Sequence, residues 1–122
     1  MRDFVISIIL FSLLLIATAG NSLYINNEVK SLSEAVKSIP SIDSPECSEF
    51  INDLRLEWKD FKKIARISLN YSEINKMDCL IEEISCHLET KNSNDFEHAK
   101  VMMLNLLGEI VRLEKISADG IL

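Results

Sequence analysis

The sequence predicts an all-α protein: an N-terminal transmembrane or signal-anchor helix followed by a small antiparallel bundle of three to four helices. Three observations predict it. The stretch FVISIILFSLLLIATAG, Phe4 to Gly20, carries no charged side chain. Beyond it, apolar residues recur at alternating spacings of three and four, the period of one helix face. Finally, only three glycines and two prolines interrupt the chain, and the abundance of Leu, Ile, Glu and Lys favours helix over strand.

The opening segment comes first. Phe4 to Ala19 as a helix is about 24 Å long against an apolar bilayer core of about 30 Å, and extension to Ile25 brings it to about 33 Å, enough for a tilted span. Its large apolar side chains, at roughly -0.3 to -0.6 kcal/mol each, drive it into the bilayer. Ala17-Thr18-Ala19 fits the small-x-small rule for signal peptidase, but the segment ahead of the apolar run offers only Arg2 beside the opposing Asp3. The residues beyond the apolar run favour a retained anchor. Ile25, Val29, Leu32, Val36 and Ile39 continue a helical stripe with no breaker before Pro40.

The expected organisation is therefore an anchor or signal segment over 1–25, a helical stalk and linker over 26–40, and an extracytoplasmic bundle over 41–122. Either fate of the leader exports the bundle: a retained span leaves it on the cell membrane, and cleavage near Ala19 secretes it. Lys and Arg are nearly balanced about the apolar run. The N-in orientation thus rests on the shortness of the N-terminal tail.

"SIPSIDSPECSEF" holds both prolines and breaks the chain before the second helix. Ser44 can cap that helix with Pro45 in its first position, and its stripe runs Cys47, Phe50, Leu54, Trp58, Phe61 and Ala65, reaching about Leu69. Asn70-Tyr71-Ser72-Glu73 reads as a junction, with Asn70 capping and Glu73 returning the capping-box bond. Ile74, Met77, Ile81, Ile84 and Leu88 form the third stripe. The polar loop Thr90 to Asn94 is short enough to imply an antiparallel neighbour. The fourth helix is expected to cap at Asn94 or Asp95, with Phe96, Ala99, Met103, Leu106, Ile110 and Leu113 as its stripe. Gly108 costs that helix about 1 kcal/mol relative to Ala, which either a close helix crossing or an exposed position accounts for. An echo of Phe50, Leu54, Trp58 and Phe61 in Ala99, Met103, Leu107 and Ile110 lacks the tetratricopeptide signature, so a plain bundle is expected.

Chemistry is sparse. A net charge of -6 disfavours nucleic acid and anionic lipid as partners, and no run of the sequence resembles a basic patch. Cys47, Cys79 and Cys86 are an odd number for an exported chain. Cys79 and Cys86 lie about 10.5 Å apart along one helix and cannot bridge each other. A bridge from Cys47 to either is open, but three small buried hydrophobes is the simpler reading. A zinc site from Cys79, Cys86, His87 and His98 needs side chains from different helix faces and has no recognised spacing. No Ser or Cys sits in a nucleophile motif, and there is no phosphate-binding loop. No catalytic, cofactor or metal residues are therefore assigned, and the chain is not expected to be an enzyme.

The order of features, an apolar start, Trp58 in "LEWKDF", the junction "NYSEIN", the short "KNSND" loop and the closing "DGIL", resembles the bacterial family called domain of unknown function 4363. The resemblance covers nearly the whole chain. It implies a small membrane-anchored helical protein of a spore-forming Gram-positive bacterium, working with a second membrane protein of the YetF-like type. Family members often carry an Asp-His pair where this chain has Asn70 and Tyr71, and Asp where it has Asn75, so of a family acid-base junction only Glu73 matches.

The function expected on these grounds is a protein-interaction or scaffold module, tethered to the bilayer through Phe4 to Ile25 and serving a membrane neighbour. Two alternatives stand beside it. One is a small-ligand or metal sensor, with a pocket around Cys79, Cys86 and Met103 between the third and fourth helices. The other is a stalk that self-associates along Ile25 to Ile39.

Overall fold

The structure, a computed structural model, describes residues 2–66, 69 and 71–121, with the side chains of Thr18, Ser22 and residues 116–121 left aside. Among the described residues it is entirely helical: α1 (Arg2–Lys37), α2 (Cys47–Ala65), α3 (Tyr71–Glu89) and α4 (Ser93–Ile121). The last three follow one another up and down. α1 packs against α2 and α4, α3 packs against the same two, and among the described residues no diagonal pair comes close. The result is a four-helix antiparallel bundle whose first member is the outer half of the long α1.

The placement of α1 follows from its two different surfaces. Phe4, Ile8, Phe11 and Ile16 are all at least half exposed, whereas Ile25, Val29, Leu32, Val36 and Ile39 are 0 to 4% exposed. Residues 26–40, expected as a stalk and linker, are thus part of the bundle, and their stripe is spent on contacts within the chain. The physical reason is area: three amphipathic helices of this length leave one side of their apolar faces open, and the stripe on the C-terminal half of α1 covers it.

α2 enters after a turn in which the Ser44 hydroxyl accepts the Glu46 N–H at 3.3 Å and the Cys47 N–H reaches the Ser44 carbonyl, also at 3.3 Å. Its buried side is Cys47, Ile51, Leu54, Trp58, Phe61 and Ala65. Ile51 replaces the expected Phe50, which is only half-buried; at about 100° per residue the two flank the centre of the stripe at nearly equal angles, so spacing admits both and packing selects between them. α2 also stops at Ala65, short of Leu69, whose N–H still bonds the Ala65 carbonyl at 2.7 Å. Asn70, the expected cap of α3, lies outside the described residues.

The α3 stripe is buried as expected from Ile74 to Ile84, with Leu88 packed at its edge. α3 closes on a Schellman-type turn: the Asn92 N–H bonds the His87 carbonyl, and the Lys91 N–H bonds that of Leu88. Lys91 takes a left-handed φ of 55° to allow it. The cap of α4 is Asn92, two residues before the expected Asn94. Asn92 Oδ1 accepts the Asp95 N–H at 3.3 Å, and Asn92 Nδ2 donates to the Asp95 carboxylate at 2.7 Å. α4 buries Phe96, Ala99, Met103, Leu106, Leu107 and Ile110, while Leu113 is half-buried and Glu114 is buried in its stead.

Two polar ties fix the helices in register. Trp58, 2% exposed, donates its indole N–H to Asp78 at 2.7 Å, joining α2 to α3, and Lys62 approaches the same carboxylate at 3.4 Å. Lys100 on α4 donates to the carbonyls of Ile39 and Pro40 at 2.9 and 3.1 Å, pinning the corner that ends α1.

Both a polar tie and the exposed glycine can be tested by stability measurements on the full chain in detergent. Asp78→Ala strands the buried Trp58 N–H and is expected to cost about 1–2 kcal/mol in chemical denaturation, whereas Asp78→Asn, which keeps an acceptor, should cost less. A β-carbon built at Gly108 meets nothing within 4 Å, so the exposed-position account holds, and Gly108→Ala should stabilise by about 1 kcal/mol.

Candidate functional site

Three surface features of the bundle stand out, two on the α3/α4 seam and one at the end where α1 leaves the core. The first is a groove of about 540 Å³ between α3 and α4. Leu80, Met102 and Leu106 make its apolar floor, Asn75 and Asn105 its polar rim, and Lys76, Glu83 and Glu109 its charged edges. Met102 is 42% exposed and its neighbour Val101 52%, since these two positions fall outside the buried stripe of α4. Cys79 opens into this groove as a free thiol.

The fold separates residues that the sensor reading groups together. Met103 is fully buried in the core, and Cys86 is exposed without lining the groove. Of the three cysteines only Cys47 behaves as a buried hydrophobe. Its thiol points at the Pro40 carbonyl at 3.8 Å, and burial pushes its pKa up, with Lys100 pulling the other way. Cys79 and Cys86 are exposed because the α3 stripe is already filled by Ile74, Met77, Ile81 and Ile84. All three are free.

His87 and His98 face a common shallow depression of about 160 Å³ near the far end of the α3/α4 seam, with Glu83 and Asp95 beside them. Among the described residues no three His, Cys, Asp or Glu side chains converge as a metal would require. Glu73 at the start of α3 has its Oε2 buried with no hydrogen-bond partner.

The third feature is the end of the bundle from which the apolar half of α1 projects, here called the base. Tyr24 stacks on Phe61 with ring centroids 6.5 Å apart, so the last turn of α2 lies at the level where α1 leaves the core. Asn26 and Val29 share a groove with Gly108 and Val111, which sets Arg112 and Lys115 at or below that same level. Lys63, Arg66, Arg112 and Lys115 are all exposed there. No single run of the sequence reads as a basic patch, since these cations are spread over more than fifty positions and only the antiparallel path gathers them. Glu114 lies among them but is turned inward, 5% exposed, and burial raises its carboxyl pKa.

Compared with known protein families, curated proteins and solved structures, the chain finds no match in any of the three.

Because the folded state raises the pKa of Glu114, it holds that proton more tightly than the unfolded chain does. The associated stability is present below the unfolded carboxylate value of about 4.3 and is lost as pH rises through the folded value. Glu114→Gln is expected to raise the thermal midpoint at neutral pH, with the gain shrinking as the medium is acidified. An equal gain at every pH would show that the carboxyl is not desolvated.

Proposed function

We propose that this protein is a membrane-anchored adaptor. The exposed part of α1, from Phe4 to Leu23, crosses the bilayer, Ile25 being taken into the core; the bundle stands on the extracytoplasmic face, and the α3/α4 groove receives a segment of a membrane neighbour. The observation that carries this reading is the divided exposure of α1. Its N-terminal half is long and apolar enough to cross a membrane, with none of that window buried in the bundle, while its C-terminal half supplies a core stripe. A water-soluble protein would bury the first half or lose it, and a row of exposed Phe, Ile and Leu in water is an aggregation hazard.

Retention of the span is supported by the continuity of α1. The helix runs unbroken through Ala17-Thr18-Ala19, and Ala19 lies fewer than two turns from Ile25, the first buried core residue. A signal peptidase needs extended, accessible backbone at its cut, and here the folded bundle stands almost on top of it. The adaptor role is supported by the groove. It is open along its length, apolar in its floor and polar at its rim, the form that accepts an amphipathic helix, and it contains no nucleophile paired with a base.

The test is the intact mass of the protein in native membranes, followed by crosslinking. Full-length protein that survives an alkaline carbonate wash is the expected outcome. A species beginning at Gly20 in the medium would overturn the anchor. A photo-crosslinker attached at Cys79 should then capture a membrane protein, and Met102→Glu in the groove floor should abolish that adduct while leaving the far-ultraviolet circular dichroism unchanged.

A further inference from the structure

We propose that the base of the bundle is itself a binding surface for anionic phospholipid headgroups, seating the bundle directly on the membrane. This rests on the reading of α1 as a span.

Three observations support it. The first is position. With Ile25 already in the core, almost no chain separates the span from the bundle, so the base lies within the headgroup layer, which adds roughly 5 Å or more on each side of the apolar core.

The second is composition. Lys63 and Arg66 end α2, Lys115 lies on α4, and between these exposed cations stand exposed apolar and aromatic groups: Leu23 at 64%, Ile64 at 40% and Tyr71 at 77%. Cations interleaved with a tyrosine and aliphatic side chains are what a membrane interface selects.

The third is the direction of the ion pairs near the base. Lys63 pairs with Asp60 at 3.8 Å, Lys62 with Asp78 at 3.4 Å and Arg112 with Glu109. Since α2 and α4 descend toward the base and α3 rises from it, the carboxylate in every pair lies on the side away from the membrane. Arg66 and Lys115 form no ion pair among the described residues.

The net charge of -6 does not oppose this arrangement. Six of the nineteen acidic residues lie at the other end, Asp43, Glu46, Glu49, Glu89, Asp95 and Glu97, around the loops that join α1 to α2 and α3 to α4. The length of α2 places that end about 28 Å from the base, well beyond a Debye length of about 8 Å at physiological ionic strength. Toward the base, Asp60 and Glu109 are paired with Lys63 and Arg112 and Glu28 and Glu73 lie on α1 and α3, so the cations left over to face the headgroups are Arg66 and Lys115.

The experiment uses the full chain with Cys79→Ser and Cys86→Ser, the buried Cys47 retained, and Tyr71→Cys carrying an environment-sensitive fluorophore. It is reconstituted into vesicles of phosphatidylcholine alone and of phosphatidylcholine with one-third phosphatidylglycerol, each doped with a headgroup-level quencher. The expected result is quenching roughly doubled by the anionic lipid, an enhancement suppressed by high salt and absent from Lys63→Glu/Arg66→Glu/Lys115→Glu. Equal quenching in the two vesicles, with the protein resisting carbonate in both, overturns the headgroup site and leaves the span standing. Release by carbonate from both overturns the span and this proposal with it. Should the triple variant fail to fold, the salt dependence of the chain bearing native Lys63, Arg66 and Lys115 decides the matter: enhancement lost at high salt supports the headgroup site, and enhancement indifferent to salt overturns it.

Discussion

The whole structure depends on the burial of one stripe, Ile25, Val29, Leu32, Val36 and Ile39, against three helices that cannot complete a core without it. α2 and α3 are 19 residues each, and a domain built only from them and part of α4 would bury too little apolar area to offset chain entropy. Supplying the fourth wall from the C-terminal half of α1 solves this without adding sequence. On the proposed reading it also makes anchoring and folding parts of one event, because the residues that complete the core are covalently continuous with those proposed to lie in lipid.

Around this stripe the polar interactions act as locators. Hydrophobic faces tolerate sliding by a turn, and a helix bundle held by Leu and Ile alone is underspecified. The Trp58–Asp78 bond and the Lys100 bonds to Ile39 and Pro40 each have one geometry. The first sets the height of α3 on α2. The second sets α4 against the end of α1, with the Lys100 ammonium also 4.9 Å from the centroid of the Phe96 ring, so one cation satisfies two corner carbonyls and covers a core aromatic. Arg55 does similar work between α2 and α3 through Ser85 at 2.8 Å and Glu82 at 3.3 Å.

Much of this was legible in the sequence because helical stripes are a property of spacing. The α1 and α3 stripes are buried almost as read, and Trp58 is indeed a large core group. What spacing could not show was which side of an ambiguous pair wins. Phe50 and Ile51 are adjacent apolar residues, and only the packing of α2 against its neighbours decides between them. The cap at Asn92 was missed although Asn92 and Asp95 have capping-box spacing, since Asn94 offered the same pattern with Glu97. Cysteine is small and apolar enough to be read as core wherever it falls, yet the α3 face was already full. The candidate sites were less legible still. The α3/α4 groove is made by residues just off two stripes, and the cations of the base come from two helices far apart in sequence.

The unbroken passage of α1 from its exposed half into the core has a mechanical consequence on the proposed reading. A tethered domain ordinarily swings on a flexible linker and is indifferent to the inclination of its anchor. Here span and wall are one rod. From Ile25 to Lys37 the rod rises about 18 Å, so a change of about 20° in the tilt of the span, of the order that bilayers of different thickness impose, displaces the far corner of the bundle by about 6 Å. The bundle is then a lever whose fulcrum lies at the membrane surface, and the thickness of the bilayer becomes a coordinate of where the α3/α4 groove is presented.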